Sequence, residues 1–382
     1  MWLNPADVRL DDLLTVLKDR TEPTDYPTAT TIEQQVPVYD AARARTAVPR
    51  DLQAEFVRAF ADGPGILVLK GAFSNDVVDA ATAAFQRMIA EQHRSGVAAG
   101  DHFARPGAND RVWNALEKLA VDAPEVFVAY YANDLLALVS AAWLGPAYQV
   151  TSQVNVVNPG GEGQTAHRDY HLGFQSDEVA AQYPEHVHRL SPVLTLQGAV
   201  AHCDMPVESG PTLYLPHSQK YSLGYLAYRR PEFQAYFVEN HVQLPLEKGD
   251  AVFFNPALFH AAGSNRSAGI LRMANLLQVS SAFGRAMESI DRARMIEAVY
   301  PVLRDLADPA AVENVIAATA EGYAFPTNLD RDQPIDGLAP RTQADLVRLA
   351  VTGQWGPDQL HQALIRHGER RRTHDDGDAG DA

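Results

Sequence analysis

His167 and Asp169 flank Arg168 in one short run, and His260 follows 93 positions after His167. Imidazole and carboxylate both ligate metals, and residues i and i+2 of an extended strand project to the same face. An extended His167-Arg168-Asp169 therefore presents a nitrogen and an oxygen donor together. His260 completes a set of two histidines and one carboxylate. That facial set leaves half of an octahedral iron open and is diagnostic of non-haem Fe(II) oxygenases. His-x-Asp also arises by chance, and a chain with 13 histidines supplies a distant third one easily. The flanking residues give the pattern its weight.

Upstream, Gln153-Val154-Asn155-Val156-Val157 alternates polar and apolar residues until Asn158-Pro159-Gly160-Gly161 breaks it. This predicts a strand and then a loop that delivers the chain to His167. Downstream, Lys248-Gly249-Asp250 signals a turn before the apolar run Ala251-Val252-Phe253-Phe254, and the segment ends near His260. Both ligand segments thus fall at strand ends or turns, where the mouth of a barrel presents side chains.

Four blocks, read in order, resemble the phytanoyl-CoA dioxygenase family of Fe(II)- and 2-oxoglutarate-dependent oxygenases. They are Phe60 to Gly71, His167 to Phe174, Glu208 to Ser218, and Gly249 to His260 with Asn265-Arg266-Ser267 and Arg272. The third block reads Pro216-His217-Ser218-Gln219 where the family pattern has Pro-Gly-Ser-His, so a different turn geometry is expected there. The spacing from His260 to Arg272 is one residue longer than the pattern, which leaves Arg266 as a competitor for the arginine role. Arg272 is preferred because Ile270 to Leu277 is strand-like, whereas Arg266 sits in a Gly/Ser/Asn loop. A guanidinium rising from a strand grips a carboxylate in bidentate fashion.

The resemblance implies a double-stranded β-helix (a jelly-roll, cupin-like barrel), a mainly β core flanked by N- and C-terminal α-helices. It implies Fe(II) on His167, Asp169 and His260, with 2-oxoglutarate and O2 as cosubstrates and Arg272 on the distal carboxylate. Gln153 and Asn155, on one strand face, and Gln197, where the family often places an aromatic, are candidates for contacting the cosubstrate. Tyr170 and His171 are candidates for the substrate side. Hydroxylation of a small molecule, with succinate and carbon dioxide as co-products, is the default outcome, while desaturation and ring formation stay open. Asp169 argues against halogenation, for which related enzymes replace the carboxylate with a small residue. A zinc hydrolase on the same ligands and a silent binding barrel are the alternatives. Zinc hydrolysis needs a general base beside the metal water, and no glutamate near either ligand block offers one.

Composition sets further bounds. A net charge of −16, with 32 basic against 48 acidic residues, excludes a nucleic-acid binder, which needs clustered Lys and Arg. The single cysteine, Cys203, rules out an internal disulfide and, with no basic-then-apolar leader at Met1 to Asp7, predicts a cytoplasmic protein. The apolar stretch from Val126 to Trp143 is interrupted by Asn133 and Asp134, so it reads as a core helix and no membrane partner is expected. The partner is a small-molecule substrate.

Punctuation divides the chain into residues 1–55, an extension with one helix (Val8 to Lys18) and a Pro/Thr-rich linker, and residues 56–283, the oxygenase domain. Helices are predicted from Leu52 to Ala61, across that boundary, and then from Asn75 to Gln92 and Asp110 to Ala120, a further one ends at Leu144, and barrel strands occupy Tyr148 to Phe283. Residues 284–365 read as helical, with Asp308-Pro309 starting one helix that Gly322 closes, and with Thr342 and Asp345 as a capping box. Residues 366–382 read as a disordered tail. His186, His188, His202 and His217 read as structural, and Gly322 to Asn328 as an aromatic-anchored loop.

Overall fold

Alternating apolar runs fold into strands β1 (Thr31–Glu33), β2 (Val36–Asp40), β3 (Ile66–Lys70), β4 (Asn109–Val112), β5 (Gln149–Val157), β6 (Thr195–Ala201), β7 (Leu213–Leu215), β8 (Val242–Gln243), β9 (Ala251–Phe254), β10 (Phe259–Ala261) and β11 (Arg272–Ser280). The structure, a computed structural model, describes residues 1–96, 107–335 and 337–374. Eight strands form one sheet in the order β1-β2-β3-β9-β6-β11-β5-β4, and β10-β7-β8 form a second. All pairings are antiparallel except β2 with β3. This is the two-sheet jelly-roll arrangement, with helices packed on the outer face of the larger sheet.

The period of two along β11 shows how one strand serves both sides. Met273, Leu277 and Val279 point out into the helical core beside Phe85, Phe127 and Tyr300. Arg272, Ala274, Leu276 and Gln278 point the other way, into a cavity between the sheets. Fully buried Phe60, Phe127, Phe253 and Leu277 anchor the outer layer, each contributing roughly 1.5–3 kcal/mol of burial. The inner layer is more polar because it forms the site.

The large sheet extends beyond the predicted barrel limits. Val36–Asp40 is a strand rather than part of a linker, because Val36, Val38 and Tyr39 are all buried and Val38 to Asp40 pair with Val68 to Lys70. The N-terminal helix Leu10–Val16 packs Leu13 among Leu215, Phe233 and Phe259, so residues 1–55 are integral to the fold. The predicted helix from Asp110 begins instead as β4, paired with β5, and the helix proper spans Ala115–Asp122 after Asn114 at φ 51° breaks the chain. β-Pairing to Val154–Val157 outweighs the weak helical periodicity there.

Among the flanking helices, Asn75–Ser95, Pro49–Ala61 and Asp134–Leu144 match the reading, and Asn133 caps the last by accepting from the Leu136 amide. Among the described residues no single helix is long and apolar enough to cross a membrane. Asp308 caps the helix Pro309–Thr319, which ends before Gly322, and the Thr342–Asp345 capping box is present. Helix Pro357–Arg370 runs into the predicted disordered tail. His367 is buried and bonded to the Arg341 carbonyl, and Arg371 donates to the Ala324 carbonyl, which ties this end down. The rest of that tail, residues 375–382, lies outside the described residues. Tyr323 packs edge-on against Phe283 at 5.3 Å, anchoring the loop that follows Gly322.

Candidate active site

His167 and His260 meet across an isolated antiparallel bridge. The amide of His167 donates to the His260 carbonyl (2.9 Å) and the amide of His260 to the His167 carbonyl (3.1 Å). Two residues on, the amide of Asp169 donates to the Pro256 carbonyl (2.8 Å), so the run is held extended as the i, i+2 argument requires. One potential ligand atom from each of His167, Asp169 and His260 lies within 4.8 Å of the others. Asp169 Oδ2 stands 3.9 Å from His167 Nε2 and 3.5 Å from His260 Nε2.

Backbone carbonyls set both tautomers. His167 Nδ1 lies 2.9 Å from the Thr165 carbonyl and His260 Nδ1 lies 2.8 Å from that of Leu258. A carbonyl only accepts, so each Nδ1 carries the proton and each Nε2 lone pair faces the centre, the usual arrangement of metal-binding imidazoles. Burial lowers the His167 pKa, which favours the neutral, ligating form. Burial alone would raise that of Asp169, but His167, His260 and the Gln197 amide outweigh it and hold the carboxyl down to about 2. The donor set is two imidazole nitrogens and one anionic oxygen, which fits a divalent iron.

Arg168, between the ligands, points away from them. It is buried, donates to the carbonyls of Ser218 (2.5 Å) and Tyr221 (3.0 Å), and stacks over Tyr225 and Phe259. Its guanidinium occupies the space over Gly224, where a Cβ would fall 1.8 Å from Cζ. This clamp fixes the segment that carries both ligands, and Tyr225 adds a hydrogen bond to the Asp169 carbonyl (2.9 Å). The role of Arg168 was not read from the sequence.

The three ligands open on a cavity of about 630 Å³ whose lining includes Gln153, Tyr170, Gln197 and Arg272. Arg272 is buried, and burial pushes its pKa down to about 10, so it stays cationic at neutral pH. It donates to the carbonyls of Ser209 (3.1 Å) and Gly263 (2.8 Å), and no carboxylate among the described residues pairs with it. A Cβ on Gly210, at φ +77°, would fall 2.7 Å from its guanidinium, so the hairpin must be bare there. A buried cation without a counter-charge fits an anionic ligand. Arg266 is exposed, outside the cavity lining, and tied by its backbone to the Glu208 carbonyl.

The other candidates separate. Gln197 bonds Asp169 directly, its Nε2 2.5 Å from Oδ2. Gln153 accepts from Arg111 (2.6 Å) and donates to Met287 Sδ (3.0 Å), and Asn155 lines the wall beside it. Tyr170 lines the cavity and also donates to Met287 Sδ. His171 is not among the lining residues: its amide is held by Ser191 and its ring lies edge-on behind Tyr170. The chain turns sharply after Tyr170, at φ +27°, which separates the two side chains. Arg111, stacked 4.4 Å over Trp113, belongs to the wall and was missed because β4 read as helix. Met287 arrives from the segment after the last strand, where no periodicity marked it.

His188 and His202 are buried and bonded within the protein, and His217 takes the left-handed conformation (φ 72°) at the position of the family's glycine. Thr21 and Lys220 hold its ring, which explains how a non-glycine residue is kept in that turn.

Residues 61–274 match the phytanoyl-CoA dioxygenase (PhyH) family, and the chain belongs to it. Among solved structures it is similar to the non-haem, α-ketoglutarate-dependent carbocyclase SnoK from nogalamycin biosynthesis (21% identity, TM-score 0.45, covering 63% of this chain and 86% of that one). It is also similar to the non-haem, α-ketoglutarate-dependent epimerase SnoN of the same biosynthesis (20%, 0.40, 60% and 80%). A third is AviO1 from Streptomyces viridochromogenes Tue57 (19%, 0.45, 61% and 97%). No curated protein matches the chain.

Proposed function

We propose that the chain is an Fe(II)- and 2-oxoglutarate-dependent oxygenase that hydroxylates an unactivated C–H bond of a small molecule, with succinate and carbon dioxide as co-products. The observation that carries the reading is the convergence of two Nε2 lone pairs and the Asp169 carboxylate on one point of a cavity that also holds Arg272. His167, Asp169 and His260 would hold the iron, which when bound supplies dioxygen activation coupled to oxidative decarboxylation of the cosubstrate.

The protein's own side chains do the rest. Thr165 and Leu258 carbonyls orient the imidazoles, and Gln197 steadies the carboxylate. Arg272 would anchor the distal carboxylate of 2-oxoglutarate. Met205, Leu244, Leu246, Val252 and Phe254 line the wall and exclude water, which strengthens each polar contact inside. No glutamate lines the cavity among the described residues, so nothing beside the ligands serves as the base a zinc hydrolase needs.

Adding Fe(II) and then 2-oxoglutarate without oxygen should produce a visible charge-transfer band that either component alone does not give. Substrate-stimulated succinate formation, with label from isotopic dioxygen in the product, would then establish hydroxylation. A metal-bound protein with no such band would refute the oxygenase reading. A product without added oxygen would refute hydroxylation and leave ring formation, desaturation or epimerisation.

A further inference from the structure

Of the large apolar side chains that stay exposed among the described residues, two line the cavity: Phe174 at 57% and Met287 at 38%. Tyr170, directly after Asp169, joins them. Its ring meets Phe174 edge-on at 5.1 Å, and its hydroxyl donates to Met287 Sδ at 2.6 Å. Single exposed apolar residues are ordinary on a surface, but these two are held in place. The Gly173 carbonyl, in the peptide that enters Phe174, accepts from the Tyr228 hydroxyl (2.9 Å) and from Arg229 (3.2 Å). Gly173 also packs so closely that a Cβ there would fall 1.9 Å from the Arg168 carbonyl oxygen. On the other flank, the Gln153 amide donates to Met287 Sδ at 3.0 Å, so a thioether that usually flexes is fixed by two donors. The cavity mouth therefore carries apolar surface that the fold pins and leaves uncovered.

We propose that Phe174, Tyr170 and Met287 form a clamp that selects a substrate carrying a flat aromatic ring system. The inference rests on the oxygenase reading above and names the substrate class of that site. Cross-strand register sets the clamp beside the cosubstrate's path. From Arg272 to Gln197 that path runs along β11 and β6, over the small side chains of Ala274, Ala201 and Ala199. Gln153, which holds Met287, lies on β5, two strands from β6 and so roughly 10 Å to the side. What the clamp offers decides between a ring and a polar chain. Both ends of the Gln153 amide are engaged, Oε1 by Arg111 at 2.6 Å and Nε2 by Met287, and the Tyr170 hydroxyl is spent on the same sulfur. The recognition surface is π face, ring edge and polarisable sulfur. Aromatic rings meet such groups in edge-to-face and offset contacts, and thioethers favour ring edges. A saturated frame of the same size gains area alone.

The test is equilibrium dialysis of 2-naphthol and of decahydro-2-naphthol against the anaerobic protein with Fe(II) and 2-oxoglutarate, in wild type, Phe174→Leu and Phe174→Tyr. The saturated compound keeps the carbon frame and the hydroxyl, so a merely apolar mouth would hold it at least as well. Wild type should bind 2-naphthol about tenfold more tightly, since each aromatic contact is worth about 2- to 12-fold. Phe174→Leu should lose about 2- to 12-fold for 2-naphthol and shift the saturated compound by less than about twofold. It should leave the charge-transfer band and the melting profile unchanged, and Phe174→Tyr should keep the wild-type discrimination. Phe174→Ala repeats the comparison if the leucine variant misfolds. Three results would overturn the proposal: no binding of 2-naphthol, an equal or reversed preference in wild type, or the preference surviving in the folded non-aromatic variant. Dialysis requires no turnover, so a missing charge-transfer band in wild type would instead strike the oxygenase reading itself.

Discussion

Arg272→Ala removes a buried charge that no carboxylate among the described residues pairs. The side chain rises from the first residue of β11, and its guanidinium is held by the carbonyls of Ser209 and Gly263 across the bare backbone of Gly210. A cosubstrate carboxylate entering beside it gains a charge-assisted partner already in place. Removing that partner leaves a buried anion unpaired at about 3–5 kcal/mol. At about 1.4 kcal/mol per tenfold, this is a loss of two to three or more powers of ten in 2-oxoglutarate affinity. Arg272→Lys should recover only part, because an ammonium cannot bond two carbonyls and a carboxylate in the guanidinium's fixed plane. Arg266→Ala should cost less than about tenfold, since that side chain is exposed and outside the cavity. The assay is an anaerobic titration of 2-oxoglutarate into each Fe(II) form, read by the charge-transfer band. A thermal melt separates binding from the loss of the two backbone bonds. A larger loss in folded Arg266→Ala than in Arg272→Ala would refute the assignment and move the role to the loop.

His260→Ala should abolish iron binding and turnover while the fold survives, measured by metal content and succinate release, and full activity would remove His260 from the ligand set. Burial holds His202 neutral down to about 3 and His217 down to about 4, against 6.5 for an ordinary histidine. Between those values the unfolded chain binds more protons, so stability is full above pH 6.5 and falls as pH drops, with His202 accounting for up to roughly 4–5 kcal/mol. Urea unfolding across that range should show the slope, and His202→Gln should flatten it; an unchanged slope refutes the cause. Gly224→Ala should drive a methyl into the Arg168 guanidinium and cost about 1–3 kcal/mol, lowering the melting temperature and weakening iron binding together. A variant as stable as wild type would show that the clamp yields freely.

The strands nearest the ligands were legible because each buries one face and exposes the other to a polar cavity. Gln153-Val154-Asn155-Val156 shows that alternation outright, and it forms the middle of β5. The elements misread are those whose partners are remote. Val36-Pro37-Val38-Tyr39 is buried throughout and paired with β3 across two helices, so it carries no period to detect. Asn109–Val112 is a four-residue strand whose identity depends on β5, forty-odd positions away, and local propensity pulled it towards helix. Helix starts with side-chain caps, at Asp308 and Thr342, were read correctly because the cap is local, whereas Asn133, read as an interruption within one helix, caps the second of two.

The same distinction governs the site. His167, Asp169 and His260 were legible because two of them share a strand-spaced run and the third follows a turn-and-strand signal. What holds them was not. Arg168 reads as an unremarkable cation between two ligands, yet it turns away from them into a clamp closed by Ser218, Tyr221 and a glycine more than fifty positions later. Gln278 reads as one polar residue in an apolar strand, and only the register places it opposite Gln197. His171 sits beside Tyr170 in sequence and yet outside the cavity, because a single left-handed residue sends the two side chains apart. Adjacent positions thus tell which atoms are available for chemistry. Which of those atoms meet depends on cross-strand register and backbone turns.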